Sequence, residues 1–202
     1  MAGRVVDDRM RAYYDRRAGE YDDWWLGAGL FAARDRPGWA AEVEELVGVV
    51  RRLPPARVLD VACGTGFLTR HLRGDVVGLD QSAQMVEIAA ARVPEGRIVQ
   101  GDAVPLPFGD GEFDRVVTSH FYGHLLDGER EAFVAEARRV GRELVVVDSA
   151  LRGDVGSEEW QERVLTDGSR HRVYKRFFTG AELADELSGR VLYEGRWFVV
   201  AS

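Results

Sequence analysis

Short apolar runs alternate with stretches of helical periodicity through the central part of the chain. The runs RVLDVA, VVGLD, RIVQGD, FDRVVTS and ELVVVDS lie between residues 57 and 149, and stretches such as FLTRHL, SAQMVEIAAARV and EREAFVAEARRV are interposed as helix candidates. Strands that are apolar nearly throughout and joined by helices are typical of a parallel sheet covered on both faces. We therefore predict a doubly wound, mostly parallel α/β sheet.

Helical spacing also precedes this region. Residues 7–25 are charged and aromatic at rough helical spacing, and an amphipathic helix is predicted from Pro37 into Leu53, before the pair Pro54-Pro55. Together these segments predict an N-terminal helical cap.

The alternation of apolar runs with helical stretches becomes less regular after Ser149. Residues 157–165 are compatible with a helix, HRVYKRFF alternates like a strand, and TGAELADEL predicts a helix with Thr179 as its N-cap and Glu182 three residues later. RWFVVAS closes the sequence as a strand, and VLYEG fits either a separate strand or the start of that last one. This end of the chain is expected to form an antiparallel C-terminal edge of the sheet.

Composition narrows the class of protein. With 202 residues, 46% of them hydrophobic and 30% charged, the chain suits a single domain, in which a helical preface over 1–53 precedes an α/β core over 56–202. The formal net charge of −7 argues against nucleic acid as a partner, because phosphate binding needs a basic surface. A cationic ligand suits an acidic protein better.

The sequence gives little indication of a membrane-spanning protein or of a zinc site. The apolar runs stop short of the roughly 20 residues that a membrane span needs, and MAGRVVDDRMR contains no apolar signal-peptide core, so we expect a cytoplasmic protein with no membrane span. The lone cysteine, Cys63, allows neither an internal disulfide nor a zinc-binding cysteine cluster. The pattern gives no indication of the oligomeric state.

A glycine turn follows the first predicted strand, in the stretch VLDVACGTGFLTRHL. Gly64 and Gly66 suit a tight turn at which a backbone can approach a ligand and a helix N-terminus offers free N–H groups. The second strand ends in Asp80, where an acid in such sheets can accept both hydroxyls of a ribose. The combination predicts a nucleoside site, whereas a tight turn alone leaves Asp60 unexplained.

The turn differs from the phosphate-binding loops. The third glycine of a G-x-G-x-x-G dinucleotide fingerprint is replaced by Thr69, and no G-K-S/T sequence occurs. A pyrophosphate cradle is therefore not indicated.

The stretch DVACGTG, from Asp60 to Gly66, resembles the first motif, D/E-x-G-x-G-x-G, of class I S-adenosylmethionine-dependent methyltransferases. VVGLDQSAQMVEIA is similar to their ribose-binding turn, and GDAVPLPFGDGEFDRVVTSH to the adenine loop and fourth strand of the type 11 branch, which includes ubiquinone/menaquinone C-methyltransferase-like proteins. The preface around Tyr14 and Tyr21 resembles the helix that closes over the cofactor in that group. Ala62 departs from the motif, because a glycine is expected there, and it weakens any expectation of an unusual backbone angle.

The resemblance implies a Rossmann-like fold that binds S-adenosyl-L-methionine and releases S-adenosyl-L-homocysteine. It implies that Asp60 orients the glycine loop near the methionyl ammonium, that Asp80 accepts the ribose hydroxyls, and that Asp102 and Ala103 meet the adenine. The further implied cofactor-binding residues are Ala62, Gly64, Gly66, Gln81, Ser119, Tyr14 and Tyr21.

The segment SHFYGHL, after the fourth predicted strand, contains the candidates for acid–base chemistry. His120, Tyr122 and His124 are placed to take a proton from an acceptor, since imidazole titrates near neutral pH. The structural alternative is that His120 packs over the cofactor and His124 caps the next helix. The His-x-x-x-His spacing also suggests a metal, but no third ligand follows at a suitable spacing, and we predict no metal site.

Two further clusters fit structural roles. The aromatic side chains of the cap lie at helical spacing and suit core packing as well as a pocket lining. Arg170, Arg172, Lys175 and Arg176 suit an anionic acceptor, but one face of an alternating strand is solvated anyway, and we assign all four to the surface.

The residues and the resemblance together predict an S-adenosylmethionine-dependent methyltransferase, of EC 2.1.1 type, that acts on a small-molecule acceptor by in-line displacement. A sulfonium is already an activated donor, so alignment and exclusion of water can suffice. A non-catalytic domain that only binds S-adenosylmethionine stays open, because Ala62 replaces a glycine and no base is obvious. An NAD(P)-dependent oxidoreductase is disfavoured by the missing third glycine.

Overall fold

The computed structural model describes residues 8–202, which form a seven-stranded sheet with helices on both faces and a separate two-stranded ribbon. The N-terminal helices are α1 (Asp8–Arg17), α2 (Asp23–Leu26) and α3 (Trp39–Arg52). The later helices are α4 (Ala83–Arg92), α5 (Asp127–Val140) and α6 (Gly180–Glu186). The strands are β1 (Ala56–Val61), β2 (Gly74–Asp80), β3 (Arg97–Gln100), β4 (Phe113–Ser119), β5 (Gly141–Ser149), β6 (Glu158–Val164), β7 (Arg170–Arg176), β8 (Val191–Glu194) and β9 (Phe198–Ala201).

The order of strands in the large sheet is β3-β2-β1-β4-β5-β9-β8. Strands β1 to β5 run parallel, β9 pairs antiparallel with β5, and β8 pairs antiparallel with β9. The chain reverses its direction of strand addition between β1 and β4, and such a switch point opens a crevice at the carboxyl ends of the strands. The predicted Rossmann-like fold, with its antiparallel edge and helical cap, is confirmed.

The two faces of the sheet carry separate apolar clusters because neighbouring strand residues point to opposite sides. Leu59 packs with Phe133 of α5 on one face, whereas Val58 belongs to the cluster on the other face. That second cluster also contains Trp25 and Trp39 of the N-terminal helices. The cap is thus built into the core of the sheet through α2 and α3.

Two local predictions are wrong. Residues 157–165 do not form a helix: β6 pairs antiparallel with β7, so the ladder of hydrogen bonds overrides the weak helical pattern. FLTRHL forms only a short 3₁₀ turn at Thr69–His71, because β2 begins at Gly74 and leaves no room for a helix.

Other details of the C-terminal part follow the sequence. VLYEG contributes a strand of its own, β8, and α6 begins with the predicted cap, in which the Glu182 amide donates to the Thr179 hydroxyl at 3.2 Å. Within residues 8–202, no helix combines the length and the apolarity required for a bilayer crossing.

Candidate functional site

A cavity opens at the carboxyl ends of the central parallel strands, beneath α1. Many of the residues singled out from the sequence come together in its lining, and these are Tyr14, Tyr21, Ala62, Gly64, Asp80, Gln81, Asp102, Ala103, Ser119, His120 and His124.

Asp80 ties the end of β2 to the glycine turn. Its carboxylate accepts hydrogen bonds from the amides of Gly64 and Ser82, each at 2.9 Å. Gly64 has a φ of 56°, a left-handed conformation that glycine adopts without steric cost. Burial raises the pKa of Asp80 to about 6, even though both amides favour the carboxylate. The acid therefore sits ready to accept further donors from a ligand.

Asp60 lies behind the cavity rather than in its lining. It is 1% exposed, and Oδ2 accepts a hydrogen bond from the Thr69 hydroxyl at 2.6 Å. Within the described residues, Oδ1 is buried without a hydrogen-bond partner. Burial, opposed by Thr69 and reinforced by the charge of Asp80, raises the pKa of Asp60 to about 7. Thr69, which stands where a dinucleotide fingerprint has its third glycine, is thus the direct partner of this acid.

Ala62 has an unusual backbone angle after all. Its φ is 57°, in the left-handed region, where a non-glycine residue costs roughly 1–2 kcal/mol. The expectation that alanine makes such an angle doubtful is wrong, because the turn imposes it. Gly66 lies outside the cavity, against α4, where an added Cβ would come within 3.1 Å of Val93 Cγ2.

Polar contacts hold the N-terminal segment over the cavity. Asp15 of α1 accepts a hydrogen bond from the Ser82 hydroxyl at 2.5 Å. Asp22 accepts one from Thr65 at 2.6 Å and forms an ion pair with Arg92 at 2.5 Å. These contacts join the cap to the glycine turn and to α4, so the cap covers the predicted cofactor site.

The cap also brings aromatic side chains to the turn. The ring of Tyr21 lies 3.4 Å from the position that a Cβ would take on Gly64. Burial raises the pKa of Tyr21 to about 12 and raises that of Tyr14 further, so both phenols are neutral near pH 7. Arg11 forms an ion pair with Asp102 at 3.3 Å across the same opening.

The two histidines meet at the cavity, but Tyr122 does not. His120, in a left-handed conformation with a φ of 52°, packs edge-on against Trp24 and Trp25 with ring centroids 4.6 and 5.1 Å away. His124 Nδ1 lies 2.6 Å from the carbonyl oxygen of Tyr174. Burial and the charge of Lys175 hold the pKa of both imidazoles well below 6.5.

Tyr122 points away from these histidines. It is buried on the other side of the loop, where its hydroxyl donates to Glu186 at 2.9 Å. The structure therefore separates Tyr122 from the other two predicted proton acceptors.

A second cavity adjoins the first and shares Tyr14, Tyr21, His120 and His124 with it. Lys175, which we assigned to the surface, lines this cavity, is 3% exposed and forms a close ion pair with Asp148. That assignment is wrong. Alternation along β7 puts Lys175 on the inward face with the buried Val173, which was the available sequence signal.

The sheet order, the glycine turn after β1 and the acid at the end of β2 define an α/β protein of the nucleoside-binding, Rossmann-like class. The type 11 methyltransferase-domain family matches residues 59–144. The chain belongs to the class I S-adenosylmethionine-dependent methyltransferase family, in its type 11 branch. The family resemblance predicted from the sequence is confirmed.

Individual relatives support this placement. The 2-phytyl-1,4-naphtoquinone methyltransferase of Synechocystis sp. is 33% identical over 178 residues, which cover 80% of this chain and 71% of that protein. The demethylmenaquinone methyltransferase of Thermotoga maritima is 36% identical over 145 residues, or 69% of this chain and 59% of that protein. The chain thus spans about three fifths of the length of the demethylmenaquinone methyltransferases of Thermotoga maritima and Renibacterium salmoninarum.

Among solved structures, a DhpI–SAH complex superposes with a TM-score of 0.72 and 26% identity. The match covers 100% of this chain and 98% of that one. The similarity therefore includes the cap and the antiparallel edge as well as the central sheet.

Proposed function

We propose that the protein transfers a methyl group from S-adenosylmethionine to a small-molecule acceptor. The observation that carries this proposal is the junction of the Asp80 carboxylate with the Gly64 turn at the wall of the first cavity. Membership of the methyltransferase family supports it, and so does the sharing of four lining residues between this cavity and a second one.

The residues present fit the cofactor. Gln81, which lines the first cavity, has a buried side-chain oxygen, Oε1, without a hydrogen-bond partner in the described part of the chain. A buried acceptor without a donor is costly, so this oxygen favours a ligand that brings a donor. When bound, S-adenosylmethionine would supply an activated methyl group on a sulfonium. Asp80 would hold its ribose, and the loop at Asp102 and Ala103 its adenine.

The chain's own residues would then align the acceptor and exclude water. The cap, held by Asp15 and Asp22, closes the first cavity. Asp80 and the loop at Asp102 and Ala103 would present the methyl carbon of the donor to a lone pair of the acceptor atom, and sulfur would keep the electrons of the broken carbon–sulfur bond. Positioning of this kind supplies several kcal/mol without further activation.

A proton carried by the acceptor atom would pass to His124. The Tyr174 carbonyl can only accept a hydrogen bond, so His124 Nδ1 carries the hydrogen and Nε2 keeps a free lone pair. Burial and the charge of Lys175 lower the pKa of His124, so the ring is neutral near pH 7 and Nε2 keeps its lone pair. We assign the role of base to His124 rather than to Tyr122.

Calorimetric titration with S-adenosylhomocysteine tests the cofactor site. We expect micromolar binding that Asp80→Ala weakens at least tenfold, and no binding of reduced nicotinamide dinucleotide. Absence of binding, or binding indifferent to Asp80, would refute the proposal. Transfer of labelled methyl groups to compounds of a metabolite extract would exclude a domain that only binds the cofactor.

The predictions of the domain organisation and of the cellular location belong to the same proposal. The contribution of Trp25 and Trp39 to the core of the sheet supports one domain over 1–202, with 1–53 as its cap. The cytoplasmic location stays a prediction.

A further inference from the structure

The second cavity differs from the first in its charge. Its cationic lining residues are Arg17, Arg34, Arg36, Arg152, Arg163 and Lys175. No aspartate or glutamate of the described residues lines it. The chain as a whole has a net charge of −7, so positive charge is concentrated here against the general balance.

Carboxylates neutralise only part of this charge. Asp148 pairs with Lys175, and Asp154 pairs with Arg152 at 3.0 Å. The four other cations form no ion pair with a carboxylate anywhere in residues 8–202. An excess of four positive charges therefore faces one concave space.

Two of the unpaired guanidinium groups are held in place by neutral partners. Arg17 donates to the Tyr13 hydroxyl at 2.8 Å and lies over the ring of Tyr21 at 4.8 Å. Arg36 donates to the carbonyl of Trp24 at 3.0 Å and stacks on the ring of Trp39 at 3.9 Å. Groups fixed in this way lose little conformational freedom when they bind a ligand.

One buried donor of the cavity lacks an acceptor. Arg163 Nε is buried and has no hydrogen bond within the described residues. A buried donor without an acceptor is costly, because the donor has lost its hydrogen bonds to water. Burial and the charge of Arg17 also lower the pKa of Arg163. Both costs fall when a negatively charged acceptor of hydrogen bonds enters the cavity.

We propose that the second cavity binds an anionic group of the methyl acceptor, either a carboxylate or a phosphoryl-type oxyanion; this inference rests on the proposed function. Guanidinium groups bind such oxyanions through paired hydrogen bonds. An uncharged acceptor would leave the four cations without a partner.

Anion binding is tested on the full chain saturated with S-adenosylhomocysteine, by calorimetric titration with inorganic phosphate and, separately, with acetate. We expect saturable, millimolar binding of at least one probe, and the two titrations distinguish the phosphoryl from the carboxylate class. Arg163→Gln and Arg36→Gln should each weaken it at least tenfold while leaving the affinity for S-adenosylhomocysteine within twofold. Arg170→Gln is the matched control, because Arg170 is exposed and pairs with Glu162.

The outcomes separate the two proposals. Failure of S-adenosylhomocysteine to bind would refute the proposed function. Normal binding of S-adenosylhomocysteine without anion binding, or with anion binding unchanged in Arg163→Gln and Arg36→Gln, would overturn the present inference alone.

Methyl transfer gives an independent readout. Compact carboxylic acids and phosphate monoesters are compared with their uncharged amide and ester analogues, and we expect kcat/KM to fall at least a hundredfold in the uncharged series. Arg163→Gln should raise KM for the anionic acceptors at least tenfold with a smaller change in kcat. Equal turnover of charged and uncharged acceptors would contradict the inference.

Discussion

Asp60→Asn should stabilise the free protein, and by an amount that grows with pH. Asp60 has a pKa of about 7 in the folded protein against 3.8 as the ordinary value. Between these values the folded state holds a proton that the unfolded state has lost, so stability falls as pH rises through the folded pKa. The asparagine keeps an acceptor for the Thr69 hydroxyl and removes the charge.

The size of this effect on the free energy of unfolding follows from the shift in the pKa of Asp60. Each unit of pH between 5 and 7 costs the wild type about 1.4 kcal/mol relative to the variant, or about 3 kcal/mol in total, and the difference then levels off. Urea unfolding at a series of pH values from 5 to 8.5 measures the difference in the free energy of unfolding between the two proteins. Comparison of the pair removes the contribution of the histidines, which both proteins share.

Asp114→Asn is the control. Asp114 pairs with Arg57 at 3.0 Å, and this partner lowers its pKa to about 2. Its carboxyl is ionised throughout the range, so the effect of Asp114→Asn should not change from pH 5 to 8.5. The difference in the free energy of unfolding between wild type and Asp60→Asn should, by contrast, change with pH. If it also stays constant from pH 5 to 8.5, the account of Asp60 as a buried, costly carboxylate is refuted.

Three more outcomes are expected. Ala62→Gly should raise the free energy of unfolding by about 1 kcal/mol in urea, since glycine removes left-handed strain of roughly 1–2 kcal/mol but adds unfolded-state entropy; a loss of stability would show that the strain is absent. The affinity for S-adenosylhomocysteine, followed by calorimetry, should drop about tenfold from pH 7.5 to 5 as Asp80 takes up a proton through its pKa of about 6, and Asp80→Asn should flatten that profile. Tyr122→Phe should lower the free energy of unfolding by about 1 kcal/mol, because the hydrogen bond to Glu186 is lost, and should leave the methyl-transfer rate within twofold. A large fall in kcat would show that Tyr122 takes part in the reaction.

The parts of the fold that were predictable depend on local pattern. The parallel strands are apolar enough to be recognised one by one, and Thr179 with Glu182 announces α6. The helix prediction that includes residues 158–164 was wrong because charged residues dominate this segment, and only its pairing with β7 makes it a strand. Although β7 is the next strand along the chain, its hydrogen bonds to β6 leave no periodic trace in residues 158–164.

The residues of the site also differ in how far the sequence predicted them. Asp80 and Gly64 were predictable because the ends of β1 and β2 carry them in a recognisable order. Arg17 and Arg163 were not, since they come from a helix and a ribbon that meet only after folding. Thr69 was noticed as a missing glycine, whereas its bond to Asp60 depends on the curvature of the turn.

Helix α1 carries residues of both cavities. Tyr14 lines the first and the second cavity, Arg17 lines the second, and Tyr13 packs on Leu165 and Val173 rather than in the core of the sheet. Any displacement of α1 would therefore alter both cavities at once. Under the proposed function, binding of the donor and binding of the acceptor would be coupled through this helix.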